Sequence, residues 1–354
     1  MSNATISDVA KKVGVSESTV SRYLSGFKVR NSELIKKAIK ELNYRPNIMA
    51  RNLKSGKTGL VSVIVPDITN PFFAAIVRGA EVAAGDEYML QLISTGDDPE
   101  KEEAAIRRLI GRVDGLIYVP SQENSSVIKD EINEIEAQSF PIVFVDRVIS
   151  KLKGFDSVLA DNRSGALLAT NHLLEHGHTE IAHIAGPVNS TPGKGRVEGF
   201  LAALKSAKIE NNSDYLVESD FTVLGGYQAM MSLLSLKKRP SAVFVGNNLM
   251  TIGALKALKE AKIKVPEQMA IIGFDDHELS DLVNPPLTVI SRDAHLQGAL
   301  AMTTLLERIR QGYQFPPKQL MVDANLVVRM SCGSTCPYRK TNTGKSLMGS
   351  SKSS

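Results

Sequence analysis

Residues 5–26, TISDVAKKVGVSESTVSRYLSG, contain two short helical patterns separated by a turn with a glycine. Thr5 and Asp8 have the spacing of a capping box, in which the threonine hydroxyl accepts from the third helical amide and the carboxylate accepts in return. A helix is therefore expected to begin near Ile6, with apolar residues recurring at helical spacing behind it. Gly14 readily adopts the left-handed conformation that ends a helix, so the chain is predicted to turn there.

A second helix is predicted over residues 17–24, because Ser16 is a favourable N-cap residue. Two helices joined by a turn of three or four residues form a helix-turn-helix, whose second helix can enter the major groove of DNA. Arg22 can donate two hydrogen bonds to guanine, Glu17 can accept from cytosine, and Ser18 can do either. The same pattern also fits an ordinary helical hairpin, so the residues alone leave both interpretations open.

A third helix is predicted over residues 31–42, before Pro46 interrupts the helical pattern. Its inward positions are expected to be Leu34, Ile35, Ala38, Ile39 and Leu42. A further helical segment follows at residues 48–53. Because helices below about 12 residues are marginal in water, another molecule is expected to order this segment.

The charge of the chain is concentrated at its beginning. Residues 1–57 contain twelve Lys and Arg against four Asp and Glu, whereas the whole 354-residue chain has a net charge of +4. A basic head on a mildly acidic body is expected when one module contacts phosphates and the other does not. The length also exceeds what one hydrophobic core usually organises, so at least two folding units are expected.

The run at residues 5–26, together with IKELNYRPNIMARNLKSGKTGLVSVIVPD at residues 39–67, closely resembles the headpiece and hinge of the lactose-repressor family of bacterial regulators. The resemblance continues to about Met330. It implies base reading by Glu17 and Ser18. The implied DNA-binding residues are Thr5, Ser16, Glu17, Ser18, Ser21, Arg22, Asn47, Ala50 and Leu53.

The resemblance also gives the short segment after Pro46 a role as a hinge helix. Leu53 falls where the family places an apolar side chain that inserts between base steps of the minor groove and kinks the duplex. The two hinge helices of a dimer would fold as they insert. The alternative is a flexible linker with a buried leucine.

The body of the chain alternates apolar strand patterns with helical patterns from residue 60 onward. Continuous apolar strands separated by helices predict doubly wound parallel sheets with both faces covered. The two similar halves resemble the two lobes of type I periplasmic binding proteins, which close over a sugar or a similar ligand. Strands are predicted at residues 60–65, 89–94, 115–119, 142–145, 157–160, 181–185, 242–245 and 269–274.

The fold class is therefore an all-α helix-turn-helix headpiece followed by a two-lobed α/β core. The predicted boundaries are 1–46 for the headpiece, 47–57 for the hinge helix and linker, 58–332 for the core and 333–354 for a polar, disordered tail. Within the core, the N-lobe comprises about 58–160 and 292–320, and the C-lobe comprises about 161–291 and 321–332. The chain is expected to cross between the lobes near Asp161 and near residues 287–292.

Ligands of parallel sheets bind beyond the carboxyl ends of the strands, which face the cleft between the lobes. The family's effector positions fall on Phe72, Phe73, Asp146, Arg147, Arg196, Phe221, Asn247, Asp275 and Arg292. For Phe72 and Phe73, packing in the core is an equal alternative. The family's usual Asn-Asp pair is Asn247-Asn248 here, which puts contacts through that carboxylate in doubt.

Three of these positions are arginines, offset only partly by Asp146 and Asp275. These charges suggest the hypothesis of an anionic effector such as a sugar acid or sugar phosphate, and neutral sugars and purines remain open as alternatives. Catalysis at Asp275-Asp276-His277 has no paired nucleophile or metal-ligand spacing to support it. A transport binding protein would need a secretory signal, and the basic head argues against it.

The expected function is a sequence-specific repressor of a carbohydrate-utilisation operon, controlled by a small effector. Its expected partners are pseudo-palindromic double-stranded operator DNA, a sugar-like effector and a second copy of itself. No signal peptide or apolar run of about 20 residues is present, so a cytoplasmic location without a membrane partner is expected. Cys332 and Cys336 are interpreted as incidental thiols of a polar tail, and no cofactor or metal is expected.

Overall fold

The computed structural model describes residues 4–24, 26–44, 57–123, 129–149 and 154–333. The predicted hinge residues Asn47, Ala50 and Leu53 lie outside the described residues, and so do Cys336 and the rest of the tail. The chain divides into two compact units, residues 1–59 and residues 60–354.

The first unit, the headpiece, contains the three predicted helices: α1 (Ile6–Val13), α2 (Glu17–Leu24) and α3 (Ser32–Glu41). The predicted capping box is formed: the Asp8 amide donates to Thr5 Oγ1 (3.3 Å), and the Thr5 amide donates to Asp8 Oδ2 (2.8 Å). Gly14 ends α1 with a φ of 74°. The small core of the headpiece consists of Val9, Ala10, Val20, Ile35 and Ala38.

One predicted core position of the headpiece is wrong. Leu34 is 55% exposed, whereas its neighbour Ile35 is fully buried. Successive helical residues point about 100° apart because an α-helix has 3.6 residues per turn. The described headpiece covers only the face of α3 that contains Ile35 and Ala38, so Leu34 projects away from the core.

The second unit contains two lobes. Lobe 1 is built on a six-stranded sheet with the order β11-β5-β4-β3-β1-β2, and all its strand pairs are parallel. Its strands are β1 (Leu60–Val65), β2 (Met89–Ser94), β3 (Gly115–Tyr118), β4 (Ile142–Val145), β5 (Asp156–Ala160) and β11 (Gln319–Val322). Its helices are α4 (Pro71–Ala84), α5 (Pro99–Leu109), α6 (Lys129–Ala137) and α12 (Ala294–Gln311).

Lobe 2 repeats this plan with a six-stranded sheet in the order β12-β10-β9-β8-β6-β7. Its strands are β6 (Ile181–Ala185), β7 (Leu216–Glu218), β8 (Ala242–Val245), β9 (Ala270–Phe274), β10 (Thr288–Arg292) and β12 (Ala324–Val327). Its helices are α7 (Asn162–Glu175), α8 (Thr191–Ser206), α9 (Val223–Leu234), α10 (Asn248–Glu260) and α11 (Leu279–Leu282), with a 3-10 turn at Ser213–Tyr215.

The predicted doubly wound architecture is confirmed, with one antiparallel exception. Strand β12 runs antiparallel to β10, because only Asp323 separates it from β11 in the other lobe. The chain crosses between the lobes after β5, after β10 and between β11 and β12. The first two crossings match the prediction. Strands β7, β10, β11 and β12 were not predicted as strands.

The interpretation of Cys332 as part of a polar tail is wrong. Its side chain is fully buried in lobe 2, where its Sγ lies 3.1 Å from His172 Nε2 and accepts from Thr288 Oγ1 (3.1 Å). The preceding residue, Ser331, accepts the Ile271 amide (2.8 Å) and donates its hydroxyl to the Ile271 carbonyl (2.7 Å). Residues 331–332 therefore complete the lobe.

Candidate functional site

A cleft between the two lobes encloses a cavity of about 360 Å³. Its wall is formed by the loops and helix beginnings that follow the carboxyl ends of the strands, as expected for parallel sheets. All nine predicted effector residues line it. The lining residues are Pro66, Asp67, Asn70, Phe72, Phe73, Gly96, Asp97, Asp146 and Arg147 from lobe 1, and Pro192, Arg196, Asp220, Phe221, Thr222, Asn247, Leu249, Asp275 and Arg292 from lobe 2.

Unusual backbone conformations are concentrated in this wall. Asp97, Asp146, Phe221 and Asp275 have φ values between 56° and 70°, in the left-handed region that favours glycine. They are four of the nine non-glycine residues with positive φ in the described part of the chain. Strained residues persist where the surrounding structure holds them in place, and they are frequent at ligand sites. The carboxylates are therefore held in fixed positions by the fold.

Arg292, at the end of β10, joins the two lobes through ion pairs. Its Nε donates to Asp275 Oδ1 (2.7 Å) in lobe 2, and its Nη1 donates to Asp146 Oδ1 in lobe 1. The guanidinium also lies over the ring of Phe72, with its central carbon 3.9 Å from the ring centroid. Burial lowers the pKa of Arg292, but the two carboxylates outweigh burial and raise it. Arg292 therefore remains charged and fixes both carboxylates.

The pKa of Asp146 also depends on a competition between burial and neighbouring charges. Burial raises its pKa, but Arg292 and Arg147 outweigh this effect, and the pKa lies below its usual value. Asp146 is therefore ionised at neutral pH and can accept hydrogen bonds from ligand hydroxyl groups.

Arg147 is held against the wall of lobe 1. Its Nη1 donates to Asp97 Oδ1 (2.6 Å) and approaches the carbonyls of Pro120 and Ser121 at 3.4 and 3.3 Å. Its central carbon lies 5.5 Å from the ring centroid of Phe221 in lobe 2. Its Nε is buried and has no hydrogen-bond partner among the described residues. This Nε lies 3.8 Å from Asp146 Oδ2, so Arg147 is paired with two aspartates of the wall.

Arg196, on α8, is 1% exposed and has no ion pair in the part of the chain that the structure describes. Its Nε donates to Asn162 Oδ1 (3.0 Å), its Nη1 donates to the Gly246 carbonyl, and its plane lies over Phe274, 3.6 Å from the ring centroid. Burial, and then repulsion by Arg292, lowers its pKa to about 9, so it remains cationic at neutral pH. Its buried Nη2 lacks a partner.

A buried donor without a partner is rare in native proteins and needs an explanation. Arg147 Nε and Arg196 Nη2 both belong to side chains that line the cavity. Both atoms are covered by protein in this structure, so these side chains present other atoms to the cavity.

Sequence reasoning missed several polar residues of the wall. Asp67 and Asp220 are anchored alike, since Asp67 Oδ1 accepts from the Thr69 amide (2.8 Å) and Asp220 Oδ1 accepts from the Thr222 amide (3.0 Å). Asp97 follows β2, so its position after a strand end was the signal that could have identified it. Asn70 was also missed; it caps α4 by accepting from the Phe72 amide (3.0 Å).

These additional carboxylates change the charge balance on which the hypothesis of an anionic effector was based. Five aspartates line the cavity, namely Asp67, Asp97, Asp146, Asp220 and Asp275, against three arginines. Two of the arginines are already paired with these carboxylates. The prediction counted only Asp146 and Asp275. With five carboxylates against three guanidinium groups, the wall does not carry the positive excess that the sequence count indicated.

In the headpiece, the predicted DNA-binding residues fall into two groups. Glu17, Ser18, Ser21 and Arg22 are exposed on α2. Thr5 and Ser16 instead serve as helix caps: Thr5 completes the capping box of α1, and Ser16 Oγ accepts from the Thr19 amide (3.3 Å). Caps can still lie beside phosphates, because helix N-termini bind anions.

The described residues contain no group of three or more His, Cys, Asp or Glu arranged to hold a metal ion. They also contain no helix that is long and apolar enough to span a bilayer.

Comparison with family models identifies both units. Residues 5–47 match the model for bacterial regulatory proteins of the lacI family, and residues 170–332 match the model for a periplasmic binding protein-like domain. The ribose operon repressor of Escherichia coli K12 is 38% identical over 314 residues, 87% of this chain and 94% of the relative. The HTH-type transcriptional repressor PurR of Actinobacillus pleuropneumoniae serotype 3 is 35% identical, with 93% and 98% covered.

Solved structures agree with these relatives. The Lac repressor dimer bound to operator and the anti-inducer ONPF superimposes with a TM-score of 0.80 at 28% identity, covering 94% of this chain and 99% of that one. A LacI family regulator from Enterococcus faecium with bound ribose gives a TM-score of 0.67 at 31% identity, covering 77% and 98%. This chain belongs to the lacI family of bacterial regulatory proteins and is a DNA-binding transcriptional regulator.

Proposed function

We propose that this chain is a repressor of a carbohydrate-utilisation operon whose operator affinity is set by a neutral monosaccharide, with ribose as the first candidate. The observation that carries the proposal is the cavity of about 360 Å³, which combines aromatic rings with fixed carboxylate, amide and guanidinium groups. This size and composition fit a small polar ligand. The E. coli relative is named a ribose operon repressor, and the E. faecium structure contains ribose.

The lining suits a polyol. The rings of Phe72, Phe73 and Phe221 can pack on the apolar face of a sugar ring. Carboxylates such as Asp146 and Asp275 can accept from neighbouring hydroxyl groups, and guanidinium groups of the wall can donate to ring or hydroxyl oxygens. The nine predicted effector residues are therefore proposed to contact the sugar.

The cleft is proposed to bind its ligand without chemistry. Asp275 is already bonded to Arg292, and Asp276 is paired with Arg329 Nη2 (3.0 Å). Burial lowers the pKa of His277. No carboxylate of this group is therefore free to act as a general base. A sugar incubated with the protein should be recovered unchanged.

Operator binding is assigned to α2, with Glu17, Ser18 and Arg22 reading base edges, and to the segment with Asn47, Ala50 and Leu53 in the minor groove. Effector binding would shift the population of cleft conformations and so change operator affinity. A protein that acts on an operator is proposed to work in the cytoplasm, where the chromosome is.

A homodimer is proposed as the functional form. The edge strand β2 exposes Met89 (67%) and Leu92 (38%), and Val82 on the adjacent α4 is 55% exposed. An exposed apolar edge strand is usually covered in the native assembly. The related Lac repressor was solved as a dimer on its operator.

The second candidate effector is a purine, because the PurR relatives are 35% identical over nearly the whole chain. Calorimetry with ribose, ribose 5-phosphate and hypoxanthine separates the candidates. We expect binding of ribose and no binding of ribose 5-phosphate, since the carboxylates of the wall repel a phosphate. Hypoxanthine binding without ribose binding would show that the effector is a purine and not a sugar. Operator titrations with and without ligand would show whether the effector weakens or strengthens operator binding.

A further inference from the structure

Asn70 and Asn248 form a buried hydrogen bond between the two lobes. Asn70 is the N-cap of α4 in lobe 1, and Asn248 is the first residue of α10 in lobe 2. The Nδ2 of Asn248 donates to the Oδ1 of Asn70 at 2.9 Å. The two residues are 3% and 5% exposed, so water does not compete for this contact.

The orientation of both amides is fixed by a second hydrogen bond. Asn70 Oδ1 also accepts from the Phe72 amide (3.0 Å), so its oxygen must face α4. Asn248 Oδ1 accepts from the Leu249 amide (2.9 Å), so its nitrogen must face Asn70. The contact therefore requires an acceptor at residue 70 and a donor at residue 248. An aspartate meets the first requirement and fails the second.

We propose that Asn248 is a positioning residue that latches the lobes together and thereby sets effector affinity. Unlike Asn247 and Leu249, Asn248 does not itself line the cavity, although its partner Asn70 does. We therefore assign its effect on a ligand to closure of the cleft and not to a direct contact. The inference rests on the proposed function only in its choice of ribose as the ligand.

Closure also brings two backbone amides to partners in the opposite lobe. The Val148 amide donates to Thr191 Oγ1 (3.1 Å), and the Glu123 amide donates to the Asn189 carbonyl (3.0 Å). If the latch opens, both amides lose these partners and exchange with solvent faster. The exchange rates of these two amides therefore report closure of the cleft in the ligand-free protein.

The first experiment measures hydrogen exchange of these two amides in the ligand-free full-length protein. Asn248→Asp keeps the acceptor for Leu249 and removes the donor, so exchange should accelerate about tenfold, as expected for a buried polar group left without its partner. Asn70→Ser still caps α4 but is too short to reach residue 248, and it should have the same effect. Asn70→Asp keeps both acceptor roles and should preserve protection.

Asn212→Asp is the matched control, because it adds the same charge to an exposed position of lobe 2, where Asn212 caps the 3-10 turn. Unchanged exchange in both Asn248→Asp and Asn70→Ser would overturn the latch. The latch would also be overturned if the two amides lost as much protection from exchange in Asn70→Asp as in Asn248→Asp. Exchange of buried β4 amides shows whether a variant is still folded.

The second experiment measures ribose affinity by calorimetry. The Kd of a ligand that binds only the closed cleft rises as the closed population falls, so Asn248→Asp should raise the ribose Kd about tenfold although its side chain does not itself line the cavity. Faster amide exchange together with no ribose binding by any variant would support the latch and reject ribose as the effector. An unchanged ribose Kd in Asn248→Asp, with tight binding by the native protein, would overturn the latch.

Discussion

The headpiece and the cleft each contain an arginine that is proposed to bind a ligand, and the two arginines are held in opposite ways. Arg22 is exposed on α2 and forms no ion pair among the described residues. Its nearest ring is Phe27, whose centroid lies 5.8 Å from the guanidinium carbon. Arg292 is 2% exposed in its side chain and is bonded to Asp146 and Asp275. One arginine is exposed to solvent without an ion pair, and the other is buried and paired by folding.

This difference predicts which property of the protein a mutation of each arginine will change. An exposed side chain is ordered only when DNA binds, so its loss should reduce operator affinity and leave folding unchanged. A buried, paired side chain has been desolvated and oriented during folding, which lowers the cost of ligand binding. Its loss should reduce stability and effector affinity together.

The largest expected effect follows from Arg292→Met. The substitution leaves Asp146 and Asp275 buried without their cation, which typically costs about 3–5 kcal/mol, and it should also abolish sugar binding. Urea unfolding of the full-length protein measures the stability. Arg196→Met is the matched control, because Arg196 is equally buried and has no carboxylate partner. Equal destabilisation by the two variants would contradict the view that ion pairing organises the cleft.

A test at Glu102 shows whether buried charged groups behind the wall of the cleft are also organised by their contacts. Its buried carboxylate accepts from Tyr118 Oη (2.6 Å) and from the Ser121 amide (2.9 Å), and the Ser121 carbonyl lies near Arg147. Burial raises the pKa of Glu102 to about 7. The folded state therefore binds the proton more tightly than the unfolded state, and the resulting stability is present at low pH and lost as pH rises through about 7.

The size of this effect is at most roughly 3 kcal/mol, which is the shift from 4.5 to about 7 converted to free energy. Glu102→Gln removes the titration. We expect the native protein to lose more unfolding free energy than the variant between pH 5 and pH 8, as measured by urea titration of both proteins. Parallel pH profiles would show that Glu102 titrates normally.

The cleft could be predicted from sequence to the extent that it follows from sheet topology. Parallel strands place their carboxyl ends on one side, so residues such as Asp146 and Asp275 were located by strand order and family resemblance together. The pairing of Asp97 with Arg147 joins residues 50 positions apart, and no local pattern contains that information. The predicted charge balance was wrong for this reason.

The missed elements have a similar explanation. Strands β11 and β12 are four residues each and partly exposed, so they lack the apolar run that marked the central strands. Leu34 shows that helical periodicity identifies an apolar position without telling whether a neighbouring element covers it. Cys332 was assigned by the polar residues around it, whereas its burial depends on contacts with His172, far away in sequence.

Arg22→Ala tests the exposed arginine of the headpiece. Removing a bidentate base contact should weaken specific operator binding about tenfold to hundredfold, equivalent to roughly 1–3 kcal/mol, and relax selection at one base pair. Ribose affinity and unfolding free energy should not change. Arg30→Ala provides the control, since Arg30 is an exposed basic residue outside α2, and we expect its loss to weaken binding to all sequences alike. Equal losses on operator and random DNA in Arg22→Ala would exclude base reading by Arg22.

Thr5→Ala is expected to have the smallest effect, and it separates two roles of this residue. The capping box predicts a loss of about 1 kcal/mol in helix stability, seen as roughly fivefold faster exchange of the α1 amides. Thr5→Ser should retain the native stability of α1, because serine is also a favourable N-cap residue. Thr5→Asp retains an N-cap but places a negative charge at the helix end. If Thr5 also lies beside a phosphate, Thr5→Asp will weaken operator binding while α1 remains protected; native operator affinity in Thr5→Asp would leave Thr5 with the capping role alone.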